Sequence, residues 1–62
     1  MELLTSSQVA KRLLLTEQML RVWRKQGTGP PYFKLGHHTV RYSVADLEIW
    51  LAEKKNTNET TP

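Results

Sequence analysis

Two stretches in the first half of the chain repeat apolar residues at the spacing of a helix. In the first, Thr5 is followed three residues later by Gln8, a capping-box pattern that predicts a helix over residues 6–14. The second stretch begins at Thr16, a favourable N-cap, and ends at Gly27, a natural helix stop. Because only about two residues separate these segments, we predict a helix-turn-helix.

The middle of the chain changes to a pattern typical of β-structure. Pro30 and Pro31 exclude a helix and keep the chain extended. Two short runs rich in aromatic and β-branched residues follow, YFKL at 32–35 and TVRY at 39–42, with GHH between them. This arrangement predicts a β-hairpin. A two-stranded hairpin is marginally stable alone, so we expect it to pack on the helices.

A third helix is predicted after the hairpin, because Ser43 with Asp46 three residues later is a second capping signal. The predicted order is therefore helix, turn, helix, hairpin, helix. This fold is mainly α with a small β-hairpin, of the winged helix-turn-helix class. We assign residues 1–54 to this domain and expect the polar, aperiodic residues 55–62 to form a disordered tail.

Composition limits the classes of protein that remain. A chain of 62 residues forms one small domain. The absence of cysteine excludes a disulfide framework and fits a reducing, cytoplasmic setting. We find neither an apolar run of transmembrane length nor a signal-peptide pattern, so we expect a cytoplasmic protein without a membrane partner. The net charge of +3 is informative only if the basic residues share one face.

Basic and polar side chains do collect on the polar face of the second helix. Such a face suits the major groove of DNA, where Arg can bridge guanine acceptors, Gln can pair with adenine and Lys can meet phosphate. A two-stranded wing can reach the adjacent minor groove or its phosphates. We therefore predict double-stranded DNA as the partner. The candidate contacts are Glu17, Gln18, Arg21, Arg24 and Lys25 on the helix, and Lys34, His37, His38 and Arg41 on the wing.

Several of these residues have a second interpretation. A basic helix face is often only a solvated surface. The Glu17 carboxylate would repel phosphate unless it accepts from a cytosine amino group, and it equally stabilises the N-terminus of its helix. Arg41 either contacts DNA or pairs with Asp46 at the start of the third helix. The histidines either touch DNA or are inert exposed residues.

The sequence argues against an enzyme, a metal site or a cofactor. No serine, histidine and acid are arranged as a nucleophile, and GTGPP does not precede a helix as a phosphate-binding loop would. His37 and His38 lack a third histidine or a cysteine that would complete a metal site. Trp23 and Trp50 fall on apolar helix faces, which favours core packing over stacking on single strands.

Three stretches together, LLTSSQVAKRL, MLRVWRKQGTGPPYFKLG and VRYSVADLEIWL, carry a family resemblance. The chain resembles the small winged helix-turn-helix proteins of the MerR superfamily, in the excisionase and AlpA-like branch. The similarity runs from about Leu3 to Leu51. Its most specific marks are a tryptophan late in the second helix, a Gly-x-Gly-Pro-Pro turn, an Arg-Tyr pair and a final Asp-Leu-x-x-Trp-Leu. The chain departs from the family at Leu14, which is often Gly, and at Arg24, where the residue is frequently apolar.

The resemblance implies a role for individual residues. It implies that a recognition helix in the major groove contacts DNA through Thr16, Glu17, Gln18, Arg21 and Lys25. It implies that the wing tip, with His37, His38 and Thr39, contacts the minor groove or the DNA backbone. It also implies that Leu20 and Trp23 occupy core positions.

The resemblance also implies two alternative functions. One is an excisionase, or recombination directionality factor, of a phage or other mobile element, which binds tandem sites, bends DNA and assists an integrase. The other is a small transcriptional regulator of mobile-element genes. An integrase and further copies of the chain are then partners, whereas the lack of an effector domain predicts no small-molecule effector. The alternative of another class is a protein-interaction adaptor without direct DNA readout.

Overall fold

The fold was determined as a computed structural model that describes residues 1–55. Three helices and three short strands confirm a mainly α, winged helix-turn-helix fold. The predicted tail at 55–62 lies outside the described residues, except for Lys55. No helix among residues 1–55 has the length and apolar character needed to cross a membrane. The elements in order are β1 (Leu3–Thr5), α1 (Ser6–Leu13), α2 (Glu17–Gln26), β2 (Phe33–Lys34), β3 (Val40–Ser43) and α3 (Val44–Lys54).

Side-chain caps determine where the three helices begin. The Thr5 hydroxyl accepts from the Gln8 amide at 3.1 Å, and the Gln8 side chain accepts from the Thr5 amide at 2.9 Å, which completes a capping box. The Thr16 and Ser43 hydroxyls each accept from the amide three residues on, at 3.1 and 3.3 Å. Each cap satisfies a backbone donor that has no partner within the helix. The predicted helix starts are confirmed.

The sheet has three strands, whereas the sequence predicted only a two-stranded hairpin. β3 lies in the centre, antiparallel to β2 on one side and to β1 on the other. Leu4 of β1 pairs with Tyr42 of β3, so the start of the chain lies against the base of the hairpin. β1 has only three residues, too few for the alternation that identifies a strand in a sequence. The predicted hairpin is therefore present, and an additional edge strand extends it.

The hydrophobic core lies where α1, α2 and α3 meet β3. Its most enclosed side chains are Val9 and Leu20, both 0% exposed, and Tyr42, which is 1% exposed. These residues come from α1, α2 and β3, so one small cluster joins the helix-turn-helix to the sheet. The other buried members are Leu4, Ala10 and Leu47, with Leu13, Trp23, Val40, Val44 and Trp50 packed against them.

The turn after α2 is shaped around Trp23. The centroids of the Trp23 and Trp50 rings are 5.7 Å apart, which joins α2 to α3. Gly29 has φ +83°, and a Cβ at this position would lie 2.8 Å from Cε3 of Trp23. Gly29 is thus required both for its left-handed backbone and for its close approach to the indole. Both tryptophans pack against the core, the role that the sequence favoured over stacking.

α1 and α2 end in the same backbone geometry but with different residues. Leu14 after α1 has φ 57° and ψ 41°, and Gly27 after α2 has φ 77° and ψ 24°. In both cases the amide of the next residue donates to the carbonyl five residues back at 2.8 Å. The left-handed conformation costs a residue with a Cβ about 1–2 kcal/mol, and glycine avoids this cost. Leu14 therefore carries backbone strain in the turn of the helix-turn-helix, although its side chain is 90% exposed.

We expect Leu14→Gly to raise the free energy of unfolding by about 0.5–1 kcal/mol, because relief of the left-handed strain exceeds the added freedom of glycine in the unfolded chain. Leu14→Ala is the matched control: it removes the same exposed side chain but keeps the Cβ, so it should stay within about 0.5 kcal/mol of the wild type. Urea unfolding measures both variants. A glycine variant no more stable than the alanine variant would contradict this account.

Candidate nucleic-acid interface

A cleft of about 500 Å³ separates α2 from the wing, which we define as β2, β3 and the connecting residues 35–39. The start of α1 forms its floor. Four cationic side chains and one carboxylate line the cleft, so it carries a positive charge. The helix and the wing therefore present basic residues to the same space. The five ionised side chains are Arg21, Arg24, Lys34, Arg41 and Glu17.

The candidate contacts on α2 divide between the cleft and the open surface beside it. Glu17, Arg21 and Arg24 line the cleft. The Gln18 side-chain oxygen accepts a hydrogen bond from the Arg21 guanidinium, so these two exposed side chains form one polar unit one helical turn apart. Exposed residues that lie outside the cleft lining are Thr16, Gln18 and Lys25.

The wing tip is a tight loop that carries both histidines. The Leu35 amide donates to the Thr39 carbonyl at 2.7 Å and closes the loop. The exposed rings of His37 and His38 have their centroids 6.1 Å apart, and both residues line the cleft. Within residues 1–55, no group of three His, Asp or Glu side chains is arranged to hold a metal ion. The tip thus offers hydrogen-bonding imidazoles to whatever occupies the cleft.

In the structure, the Arg41 side chain bonds to a backbone carbonyl of its own strand. Its guanidinium donates to the neighbouring Val40 carbonyl at 2.8 Å. Among residues 1–55, this side chain makes no hydrogen bond to Asp46. Arg41 lines the cleft opposite α2. Its charge is therefore directed to the space between helix and wing.

Arg24 differs from Arg21 and Arg41 because its guanidinium bonds to side chains that are distant in sequence. Its NH1 donates to the Tyr42 hydroxyl at 2.9 Å and to the Ser6 hydroxyl at 3.3 Å. The guanidinium carbon also lies 5.8 Å from the centroid of the Tyr32 ring. Both hydrogen-bond partners are 18 residues away in sequence, so the spacing on a helical wheel could not reveal them. The sequence feature that hinted at this inward orientation was that the family which the chain resembles frequently has an apolar residue at the position of Arg24.

A helix-turn-helix, a basic cleft and a β-wing define the chain as a small winged helix-turn-helix protein. Residues 3–55 match the family described as a helix-turn-helix domain, and the chain belongs to that family. This is a DNA-binding family and not a family of enzymes, so the protein is a DNA-binding helix-turn-helix protein whose partner is double-stranded DNA. No curated protein and no solved structure matches the chain.

Proposed function

We propose that this protein recognises specific sequences in double-stranded DNA, with α2 in the major groove and the wing on the adjacent minor groove or its phosphates. The observation that carries the proposal is the cleft, which brings Arg21 of α2 together with Lys34 and Arg41 of the wing. Separate basic patches on opposite faces could not engage one duplex at the same time. A helix and a wing on the same side can do so.

The cleft has the charge needed to hold one sugar–phosphate strand. A helix in the major groove and a wing in the next minor groove straddle the strand that separates these grooves. We infer that this strand lies in the cleft, next to Arg21, Lys34 and Arg41. Contacts to its phosphates would set the position and register of the protein on the duplex, but they carry little sequence information.

Sequence recognition is assigned to the exposed residues of α2. Arg21 suits the two acceptors of guanine, and Gln18 suits adenine. The hydrogen bond between them orients both side chains before DNA arrives. We infer that Glu17 accepts from a cytosine amino group, and that Thr16 and Lys25 contact phosphates at the edges of the groove.

The resemblance to the excisionase branch of the MerR superfamily supports a finer role. We infer that the protein is a cytoplasmic excisionase of a phage or other mobile element, which binds tandem sites, bends DNA and assists an integrase. A module of this size covers few base pairs, so its affinity as a single copy is modest. Copies on adjacent sites would raise occupancy, and the exposed Ile49 and Ala45 of α3 are available for such a contact.

Transcriptional control of mobile-element genes is the alternative within the same class, because it uses the same binding event. An integrase gene beside the gene for this protein favours excision, and its absence favours control of transcription. A protein-interaction adaptor draws support from the apolar side chains on α3, since Ile49 is 59% exposed and Leu51 is 41% exposed.

Salt dependence separates DNA binding from the adaptor function. The probe is a fluorescent duplex that the wild-type protein selects from a pool with a randomised centre. We expect log affinity to fall linearly with log salt, with a slope steeper than about −2, because each neutralised phosphate contributes about −0.9. Affinity that does not change with salt, or no enrichment of any duplex, would favour the adaptor.

Arg21→Ala tests the recognition helix. We expect it to weaken binding to the selected duplex by about 1–3 kcal/mol and to relax the preference over a scrambled duplex, because a guanine contact is lost. Arg12→Ala is the matched control, since Arg12 is an exposed cation on α1 outside the cleft. Fluorescence anisotropy measures both duplexes. Equal affinities of the wild type and the Arg21 variant would count against the assignment of α2.

Replacing His37 and His38 together by alanine tests the wing. We expect binding to weaken by about 0.5–1.5 kcal/mol per histidine, to the selected and the scrambled duplex alike, because the tip contacts the backbone or the groove edge. The ratio of the two affinities should therefore stay constant, and it can be measured in the same titrations. If the ratio collapsed, the histidines would be base-reading residues.

A further inference from the structure

One cation of the cleft is already engaged inside the protein. Arg24 lies in the last turn of α2, and its NH1 donates to the Tyr42 hydroxyl at 2.9 Å and to the Ser6 hydroxyl at 3.3 Å. We propose that Arg24 is a positioning residue: it holds α2 and the wing at the separation that DNA requires and does not itself contact the duplex. This inference rests on the proposed DNA-binding function and deepens it.

The Tyr42 hydroxyl is the reason that Arg24 turns inwards. Tyr42 is 1% exposed, and a buried hydroxyl is almost always hydrogen-bonded. The Arg24 guanidinium supplies a charged donor, which makes a stronger bond than a neutral one. Because the tyrosine side chain is enclosed, its hydroxyl has no access to DNA. The bond between these two residues is therefore internal.

Arg24 adds a polar connection between α2 and the sheet. α2 and β3 share one core cluster through the buried side chains of Leu20 and Tyr42. Arg24 connects them directly, since it reaches from the end of α2 to Tyr42 on the central strand and to Ser6 at the start of α1. Its guanidinium also lies 5.8 Å from the Tyr32 ring, next to the start of β2. One side chain thus links α2 to the central strand of the wing and to the residue before β2.

The shape of the guanidinium suits this task. It is planar and carries five N–H donors in a fixed fork, so it can donate to two hydroxyls and face an aromatic ring at the same time. A lysine ammonium is a point charge without this geometry. Both hydroxyls are bonded to NH1, so a phosphate that took over this nitrogen would have to displace them. Arg21, Lys34 and Arg41 line the same cleft. In this proposal they are the cations that contact the sugar–phosphate backbone of DNA.

Four variants test the inference on the duplex that the wild-type protein selects from a randomised pool. Tyr42→Phe removes only the enclosed hydroxyl, Arg24→Met removes the donors and the charge, Arg24→Lys keeps the charge, and the fourth variant combines Tyr42→Phe with Arg24→Met. Arg12→Met is the control for loss of a charge outside the cleft. Dissociation constants are measured over a salt series, and urea unfolding gives the folded fraction by which each constant is corrected.

A positioning role predicts a specific pattern. Tyr42→Phe, Arg24→Met and Arg24→Lys should each weaken binding about tenfold after correction for the folded fraction, and Arg12→Met should not. The double variant should be within about twofold of the weaker single variant, because both changes break one interaction. The slope of log affinity against log salt should equal that of the wild type, since no phosphate contact is lost.

Other results overturn the inference. A direct phosphate contact would reduce the salt slope by about one in Arg24→Met, leave Arg24→Lys close to wild type and leave Tyr42→Phe unaffected. If the correction for the folded fraction restores the wild-type affinity of every variant, the bonds of Arg24 contribute to stability alone. Failure of the wild-type protein to bind any duplex would remove the proposed function and this inference with it. If the wild type binds the duplex and Tyr42→Phe binds it with the same affinity, the positioning role is wrong but the proposed DNA-binding function stands.

Discussion

The geometry of the candidate interface depends on the burial of Tyr42 in the central strand of the sheet. Its backbone pairs with Leu4 of β1, its ring lies in the core with Val9 and Leu20, and its hydroxyl accepts from Arg24. A domain of this size buries only about 60% of the surface of its unfolded chain, so few side chains determine how its parts are arranged. Tyr42 is the largest of the fully buried side chains. The base of the wing is therefore held by the core itself.

This arrangement explains how so short a wing is kept in place. β2 has only two residues, and a two-stranded hairpin has little stability of its own. β3 gains a second partner in β1, and the Ser43 hydroxyl at its end caps α3, so the central strand is held along both edges and at its end. Only the tip, with His37 and His38, extends beyond this support. The wing can thus be exposed and basic without being a separate unit.

The parts of the structure that could be predicted from the sequence are those that depend on near neighbours. The caps at Thr5 and Thr16 bond to amides three residues away, so a short stretch of sequence contains both the cap and its partner. The strand β1 could not be predicted, because its partner β3 is far away in the sequence. The orientation of Arg24 could not be predicted for the same reason: a helical wheel places it on the polar face, whereas Tyr42 and Ser6 draw it inwards. The exposure of Glu17 and Arg21 follows from the polar helix face, and that of His37 and His38 from the loop, so these positions needed no such contact.

In the proposed complex, the cations of the cleft take part in two kinds of interaction. Arg21, Lys34 and Arg41 attract DNA through their charge, and at 0.1 M salt the attraction between exposed charges is largely screened beyond about 10 Å. The bonds of Arg24 to Tyr42 and Ser6 are partly buried, and salt screens buried interactions much less. The attraction that brings DNA to the cleft therefore weakens as salt rises, while the separation of helix and wing is maintained. This arrangement favours binding by a small domain, because a preorganised separation of helix and wing lowers the entropy cost of forming the complex.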